Sequence, residues 1–237
     1  MLIHFNQKIQ IGAIVFPNMD QMDLTGPFAV LSRLANTQFQ LLWKNTQPLR
    51  DFHGLVITPE ASFAEAKPMD VLLVPGGPGQ NELMEDEELL QFIRTQAERV
   101  KLVFTVCTGS LLLGATGLLK GKRATSYWRT TQLLKYFGAE YVNERVVQDG
   151  NFVNAAGLTA GIDGALRVAA LLRGEDEAKR IQLDIQYAPE PPFCCGSPES
   201  APAELLAKSE QAGEELLARR LAVAKRVAVK LGVRVDE

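Results

Sequence analysis

The sequence of 237 residues is poor in histidine and cysteine, with two of the first and three of the second. An odd, small number of cysteines does not form a disulfide framework, and the start, MLIHFNQKIQ, lacks the apolar segment of a secretory signal. These features predict a protein of the reducing cytoplasm. Apolar runs are all shorter than the roughly 20 residues of a membrane-spanning helix. The net charge of −3 predicts no nucleic-acid or membrane partner.

Short apolar segments alternate with longer amphipathic ones along most of the chain. We predict strands at residues 9–16, 39–44, 55–58, 71–74 and 102–106, and a hairpin over 144–154 with its turn at 149–151. Helices are predicted over residues 23–35, 81–99, 128–137, 159–172 and 176–187. Strands that are apolar on both faces favour an α/β fold with a mostly parallel sheet covered by helices on both sides. In such a sheet, ligands bind beyond the carboxyl ends of the strands.

A segment rich in proline and serine, residues 188–202, marks the predicted end of this domain. We therefore predict an α/β domain over residues 1–201 and a C-terminal amphipathic helix over residues 202–237, packed on the domain or at a dimer interface. Its apolar face consists of Leu217, Leu221, Ala224, Ala228 and Leu231. The same helix carries basic residues that could bind nucleic acid, but a solvated face explains them more simply: Arg219, Arg220, Lys225, Arg226 and Lys230.

Cys107 stands in LVFTVCTGSLLLG, residues 102–114, where a predicted strand passes directly into a predicted helix. At such an elbow the side chain projects from the carboxyl edge of the sheet. The N–H groups of the following helix stabilise a thiolate, which is the nucleophilic form of cysteine. The Gly-x-Ser-x-Gly pattern of hydrolase elbows is not matched, since Thr105 replaces its first glycine. The alternative is a buried thiol that packs like a small apolar side chain.

The proton chemistry around this thiol cannot be assigned to a histidine. His4 lies in the N-terminal tail and His53 in a predicted turn, so a Cys-His protease is hard to assemble from this chain. A carboxylate is the remaining choice. Asp23, in the loop after the first strand, is the best candidate, although an aspartate before a helix is most often an N-cap. Asp20 is the competing carboxylate in the same loop.

Gly76 and Gly77 end the predicted strand at residues 71–74 and could offer backbone N–H donors to a developing negative charge. PGGPGQ has neither Gly-x-Gly-x-x-Gly spacing nor a Walker lysine, and the acidic NELMEDEE follows it, so we do not predict a nucleotide cofactor. Cys194 and Cys195 are adjacent in the proline-rich loop, with no histidine nearby to complete a zinc site. No metal site is predicted.

Several motifs together resemble one superfamily: DLTGP (23–27), VPGG (74–77), VCTGSLLLGATGLLKGKRAT (106–125), ERVVQDGN (144–151), LTAGID (158–163) and YAPEPPF (187–193). Between about residues 11 and 201 the chain is similar to the PfpI-like (DJ-type, class I glutamine-amidotransferase-like) superfamily, and within it to the isocyanide hydratases. The resemblance implies a flavodoxin-like fold, a homodimer, and hydration of a small-molecule isocyanide to an N-substituted formamide without metal or cofactor.

The resemblance also implies roles for individual residues. Cys107 would be the nucleophile, Asp23 the acid/base carboxylate, and Thr108 the hydroxyl and N–H neighbour of the reacting atoms. Gly76 and Gly77 would form the glycine turn beside the substrate pocket.

One departure weighs against two other activities of the superfamily. Relatives with protease or glyoxalase activity often carry a histidine soon after the elbow helix, where this chain has Ser126 and Tyr127. A glyoxalase or deglycase and a non-enzymatic redox sensor or chaperone that uses Cys107 stay open as alternatives. A transcription regulator is not favoured, since the segment after residue 201 is too short for a helix-turn-helix domain. An apolar pocket wall is expected from Tyr127, Trp128 and Phe193.

Overall fold

The structure, a computed structural model, describes residues 2–235. Met1 and residues 236 and 237, which the predicted division of the chain includes, lie outside the described residues. The strands are β1 (Ile9–Ile14), β2 (Thr37–Trp43), β3 (Leu49–Arg50), β4 (Val56–Ile57), β5 (Ala61–Ser62), β6 (Val71–Val74), β7 (Leu102–Val106), β8 (Arg123–Ala124), β9 (Glu140–Tyr141), β10 (Val146–Asp149) and β11 (Phe152–Ala155). The α-helices are α1 (Met22–Leu31), α2 (Gln80–Leu83), α3 (Glu87–Ala97), α4 (Gly109–Ala115), α5 (Ala160–Arg173), α6 (Glu175–Asp184) and α7 (Ala203–Leu231). Two 3-10 helices cover Phe63–Glu65 and Trp128–Phe137.

Seven of these strands form the main sheet, in the order β10-β11-β7-β6-β1-β2-β5. All neighbouring pairs are parallel except β10 with β11. Every residue of β6 and β7 is buried, which is the reason that both appear in the sequence as uninterrupted apolar runs. The predicted α/β fold with a mostly parallel, helix-covered sheet is confirmed.

The predicted hairpin is present as β10 and β11, and Gly150 at its turn has a φ of 62°. The predicted helix at 128–137 is a 3-10 helix, which ends at Gly138 in the left-handed conformation. The strand predicted at residues 55–58 lies outside the main sheet, because β4 pairs only with β3 in a small hairpin.

The single helix predicted over residues 81–99 is wrong, because the chain breaks it into α2 and α3. Asp86, between them, has an extended backbone (φ −81°, ψ 97°), and its side chain accepts a hydrogen bond from the Leu89 N–H. This N-cap satisfies a donor that would otherwise lack a partner, and it starts a new helix.

Helix α7 lies against the 3-10 helix Trp128–Phe137 and also contacts α2 and α4. Its buried apolar side chains are Val223, Ala224, Val227 and Ala228, with Leu217, Leu221 and Leu231 half-buried beside them. The helix therefore packs on its own α/β domain, close to the carboxyl edge of the sheet. None of the helices within residues 2–235 is both long enough and apolar enough to cross a membrane.

Candidate active site

Cys107 lies at a strained elbow between β7 and α4. Its φ of 58° places a residue with a side chain in the left-handed region, which is costly unless the surroundings enforce it. Its N–H donates to the Ala155 carbonyl at 2.9 Å. Its own carbonyl accepts from the Ser110 and Ser126 hydroxyls at 3.1 and 3.2 Å. Strand pairing and two serines therefore hold the thiol at the carboxyl edge of the sheet, as the sequence predicts for a nucleophile.

Two carboxylates compete for the proton chemistry in the sequence, and the structure separates them. Asp20 lies before α1, and its Oδ1 accepts from the Met22 N–H, 3.0 Å away. Asp23 lies inside α1, fully buried, and its Oδ2 accepts from the Gly76 N–H at 3.0 Å. The other oxygen of Asp23 has no hydrogen bond of normal geometry within residues 2–235. The Cys107 thiol is the polar neighbour of this carboxyl group.

Burial controls the charge of both groups. It is the main reason that the pKa of Asp23 is raised to about 8, with a further contribution from the negative charge of Asp20. The pKa of Cys107 is raised well above its ordinary value, by burial first and then by the charge of Asp23. The Thr108 N–H and the Arg220 guanidinium oppose this increase. At neutral pH the pair therefore keeps a proton, and a protonated carboxyl group can act as a general acid.

The glycine turn after β6 packs directly onto the elbow. A Cβ on Gly76 would lie 2.5 Å from the Thr108 nitrogen, and one on Gly77, whose φ is 126°, would lie 2.3 Å from the Asp20 nitrogen. The Gly76 N–H donates to Asp23, and the Gly77 N–H donates to Thr108 Oγ1 at 3.0 Å. Both donors thus bind side chains of the site rather than pointing freely at a substrate. The turn positions Asp23 and Thr108.

A cavity of about 550 Å³ opens onto Cys107 and Thr108. Of the three aromatic residues expected in its wall, only Tyr127 lines it. Trp128 faces a smaller cavity, and Phe193 is 74% exposed in the loop before α7, so the expectation is wrong for both. Leu158, Leu216 and Phe52 supply apolar surface instead. Neither His4 nor His53 is among the residues that line this cavity.

Arg220 of α7 reaches this cavity, and the prediction of a solvated basic face is wrong for this residue. Its side chain is only 5% exposed, and its Nη2 donates to the Gly77 carbonyl at 3.0 Å. The sequence contains an indication of this burial. Arg220 is three residues after Leu217 and four before Ala224, so it lies on the same face of the helix as these apolar residues. At Arg220 that face reaches the cavity that contains Cys107.

The remaining cysteines stand apart from this site. Cys194 and Cys195 are exposed free thiols in the loop before α7. Within residues 2–235, no group of three histidine, cysteine, aspartate or glutamate side chains is arranged to hold a metal ion.

Comparison with known proteins agrees with this geometry. The model of the DJ-1/PfpI family matches residues 9–171. An isonitrile hydratase from Pseudomonas putida is 46% identical over 226 residues, which are 95% of this chain and 99% of that protein. The crystal structure of a ThiJ/PfpI family protein from Pseudomonas syringae has a TM-score of 0.89 and 38% identity, covering 92% of this chain and 91% of that one. The deglycase PfpI from Pyrococcus furiosus is 31% identical over 105 residues, 44% of this chain and 63% of that protein.

Proposed function

The chain belongs to the DJ-1/PfpI family, and on that premise we propose that it is an isonitrile hydratase, which adds water to an isocyanide R–NC to give an N-substituted formamide. The observation that carries the proposal is the pair formed by the Cys107 thiol, which lines the cavity, and the buried carboxyl group of Asp23 next to it. No histidine lines this cavity. Similarity to an isonitrile hydratase over 95% of the chain supports it.

The first step joins Cys107 to the terminal carbon of the isocyanide. The form of the pair that reacts holds a single proton, on Asp23. Its thiolate sulfur forms a bond to that carbon while Asp23 donates the proton to the same carbon. The product is a thioimidate, R–N=CH–S–Cys107, and Asp23 is left as a carboxylate. A carboxyl group with a pKa of about 8 is protonated at neutral pH and so is ready for this donation.

The second step consumes water and restores both side chains. Asp23 takes a proton from water as the oxygen adds to the thioimidate carbon, and this proton passes to the nitrogen. The resulting R–NH–CH(OH)–S–Cys107 collapses: the hydroxyl proton returns to Asp23, a C=O bond forms, and the C–S bond breaks to release the thiolate. The sum is R–NC plus water to R–NH–CHO. One nucleophile and one carboxyl group suffice, so the proposal includes no metal or cofactor.

Thr108 and Gly76 of the glycine turn support Cys107 and Asp23 rather than binding the substrate themselves. The Thr108 N–H stabilises the Cys107 thiolate, and the Gly76 N–H holds the Asp23 carboxyl group in place. Gly77 lines the cavity and would contact the substrate. A homodimer in the cytoplasm remains part of the proposal, supported by the family resemblance and by the few cysteines of the chain.

The decisive experiment measures formamide formation from cyclohexyl isocyanide by NMR. We expect product from the wild type and from Cys194→Ser, which removes an exposed thiol outside the site, but none from Cys107→Ser. Mass spectrometry of the quenched reaction should find the substrate mass on the peptide that contains Cys107.

A deglycase is the second candidate, because similarity to the deglycase PfpI covers 44% of the chain. Methylglyoxal consumption that requires Cys107, with no formamide from any isocyanide, would favour it over the hydratase. Oxidation of Cys107 by low peroxide, without turnover of either substrate, would instead indicate a redox sensor.

A further inference from the structure

Three arginines line the cavity that contains Cys107: Arg129, Arg219 and Arg220. Across residues 2–235, no carboxylate oxygen lies within 4.0 Å of a guanidinium nitrogen of any of them. Arg219 is exposed on α7. Arg220 and Arg129 are a different case, because Arg220 is buried and Arg129 is half-buried with its Nε atom out of contact with solvent.

Arg220 is 95% buried, as its exposed fraction is 5%, and it makes one hydrogen bond, from Nη2 to the Gly77 carbonyl. Its buried Nε has no partner within the described chain. Since a guanidinium group does not lose its proton in a protein, this side chain is a buried cation with an unused donor. Leaving a buried charge without a counter-charge costs several kcal/mol, so the arrangement fits a site that an anion completes.

Arg129 shows the same pattern on the neighbouring wall. Its Nη2 donates to the Ser209 hydroxyl at 2.6 Å and to the Ser209 carbonyl, and its guanidinium group stacks on the Trp128 ring at 4.7 Å. Its Nε is also buried without a partner among the described residues. These contacts fix the plane of the guanidinium group while leaving Nε–H free. A planar fork held in this way is suited to binding a carboxylate.

The carboxylates of the cavity do not satisfy these donors. Asp20 is bonded to the Met22 N–H, and Glu82 is exposed on α2. Both lie more than 4.0 Å from every guanidinium nitrogen of the three arginines. The thiolate of Cys107 carries one negative charge at most, and only while it is free of substrate. The counter-charge of the second arginine must therefore come with the ligand.

We propose that the isocyanide accepted by this cavity carries an anionic group, in its simplest form a carboxylate, which Arg129 and Arg220 bind while the isocyanide carbon reaches Cys107. This inference rests on the proposed hydratase function. The cavity volume of about 550 Å³ accommodates such a molecule with a short aliphatic or aromatic spacer.

The test uses ω-isocyanoalkanoates with two to six carbons, each compared with its own methyl ester, which has the same reactive group without the charge. We expect kcat/KM of the acid to exceed that of the ester by at least about tenfold at the best chain length, as one charge-assisted contact allows. The ratio should fall towards one in Arg129→Gln. It should persist in Arg167→Gln, which removes an exposed arginine of α5 that does not line the cavity.

Cyclohexyl isocyanide serves as an uncharged reference substrate, which allows the proposed hydratase function and the proposed anionic substrate class to be tested separately. If it and the esters are hydrated, and no acid is preferred over its ester at any length, the hydratase stands and the anionic substrate class is wrong. If an acid preference is found but survives Arg129→Gln, the assignment of the arginines is wrong. If neither acids, esters nor cyclohexyl isocyanide give a formamide, the proposed function fails and this inference fails with it.

Discussion

Replacing Asp23 by asparagine is expected to make the protein more stable and nearly inactive. Asparagine has almost the shape of aspartate, and its side-chain oxygen can still accept the Gly76 N–H bond that Asp23 makes at 3.0 Å. The difference is charge: the aspartate must be either protonated or buried as an anion, while the amide is neutral at every pH.

The magnitude follows from the pKa, which is raised from 3.8 to about 8 by burial and by Asp20. Between these two pH values the folded protein binds more protons than the unfolded chain, so its stability falls as the pH rises from 3.8 towards 8. One pKa unit corresponds to about 1.4 kcal/mol, so the carboxyl group destabilises the fold by about 2 kcal/mol at pH 5 and by about 4 kcal/mol at pH 7. Asparagine removes this cost.

The assay is urea unfolding of the wild type and Asp23→Asn at pH 5, 6, 7 and 8. The variant should be the more stable one, and its advantage should grow with pH at about 1.4 kcal/mol per unit. In thermal unfolding at pH 7 the same effect corresponds to an increase in Tm of roughly 10 °C for a chain of this size. An advantage that is constant with pH would refute the reasoning, because it would mean that Asp23 is ionised in the folded protein throughout this range.

Turnover of the same variant should fall by a factor of about 10² to 10⁴, which is the usual contribution of a general acid. Cys107 should still react with iodoacetamide. Above about pH 8, where Asp23 of the wild type is ionised, the variant should react faster than the wild type, since the negative charge that raises the pKa of the thiol is gone. Equal loss of turnover and alkylation would show instead that Asp23 only keeps the elbow in shape.

Two further substitutions test other parts of the structure. Arg173→Met should lower the free energy of unfolding in urea by about 3 kcal/mol, because its buried guanidinium group donates to four backbone carbonyls of the N-terminal segment and the α1–β2 loop. Arg180→Met removes an exposed guanidinium group with two ion pairs and one hydrogen bond to the Arg33 carbonyl, and should cost less than about 1 kcal/mol. Equal effects of the two would contradict this account. Arg220→Gln should move the pH dependence of Cys107 alkylation to higher pH, because Arg220 opposes the increase in the pKa of the thiol. Arg220→Lys, which keeps the positive charge, should move it less. An unshifted profile in the glutamine variant would mean that Arg220 does not act on the thiol.

The central strands were predictable because their environment is uniform. Every residue of β6 and β7 is buried, so the sequence there is apolar without interruption. The hairpin of β10 and β11 was predictable for a local reason, since its turn needs a positive φ that Gly150 adopts easily. In both cases the signal lies within a few consecutive residues.

The errors arise where a short segment is compatible with two local structures, and contacts with its neighbours in the folded chain determine which of them forms. The break between α2 and α3 depends on Asp86 adopting an extended backbone and binding the Leu89 N–H. An acidic residue at this point is equally compatible with the first half of one continuous helix. The small hairpin of β3 and β4 likewise looks like any other pair of apolar segments, although it stays outside the main sheet.

The sequence alone determined the chemical groups of the site: a thiol at the end of a buried strand, carboxylates in the first loop, and no histidine in reach. The tertiary structure distinguishes the two carboxylates, because Asp20 and Asp23 differ in burial and in partners, not in residue type. It also brought Arg220 to Gly77, 143 residues away along the chain. The burial of a group and the charges around it depend on how whole helices and strands pack. The pKa values of Asp23 and Cys107 depend on both, so they could not be obtained from the sequence.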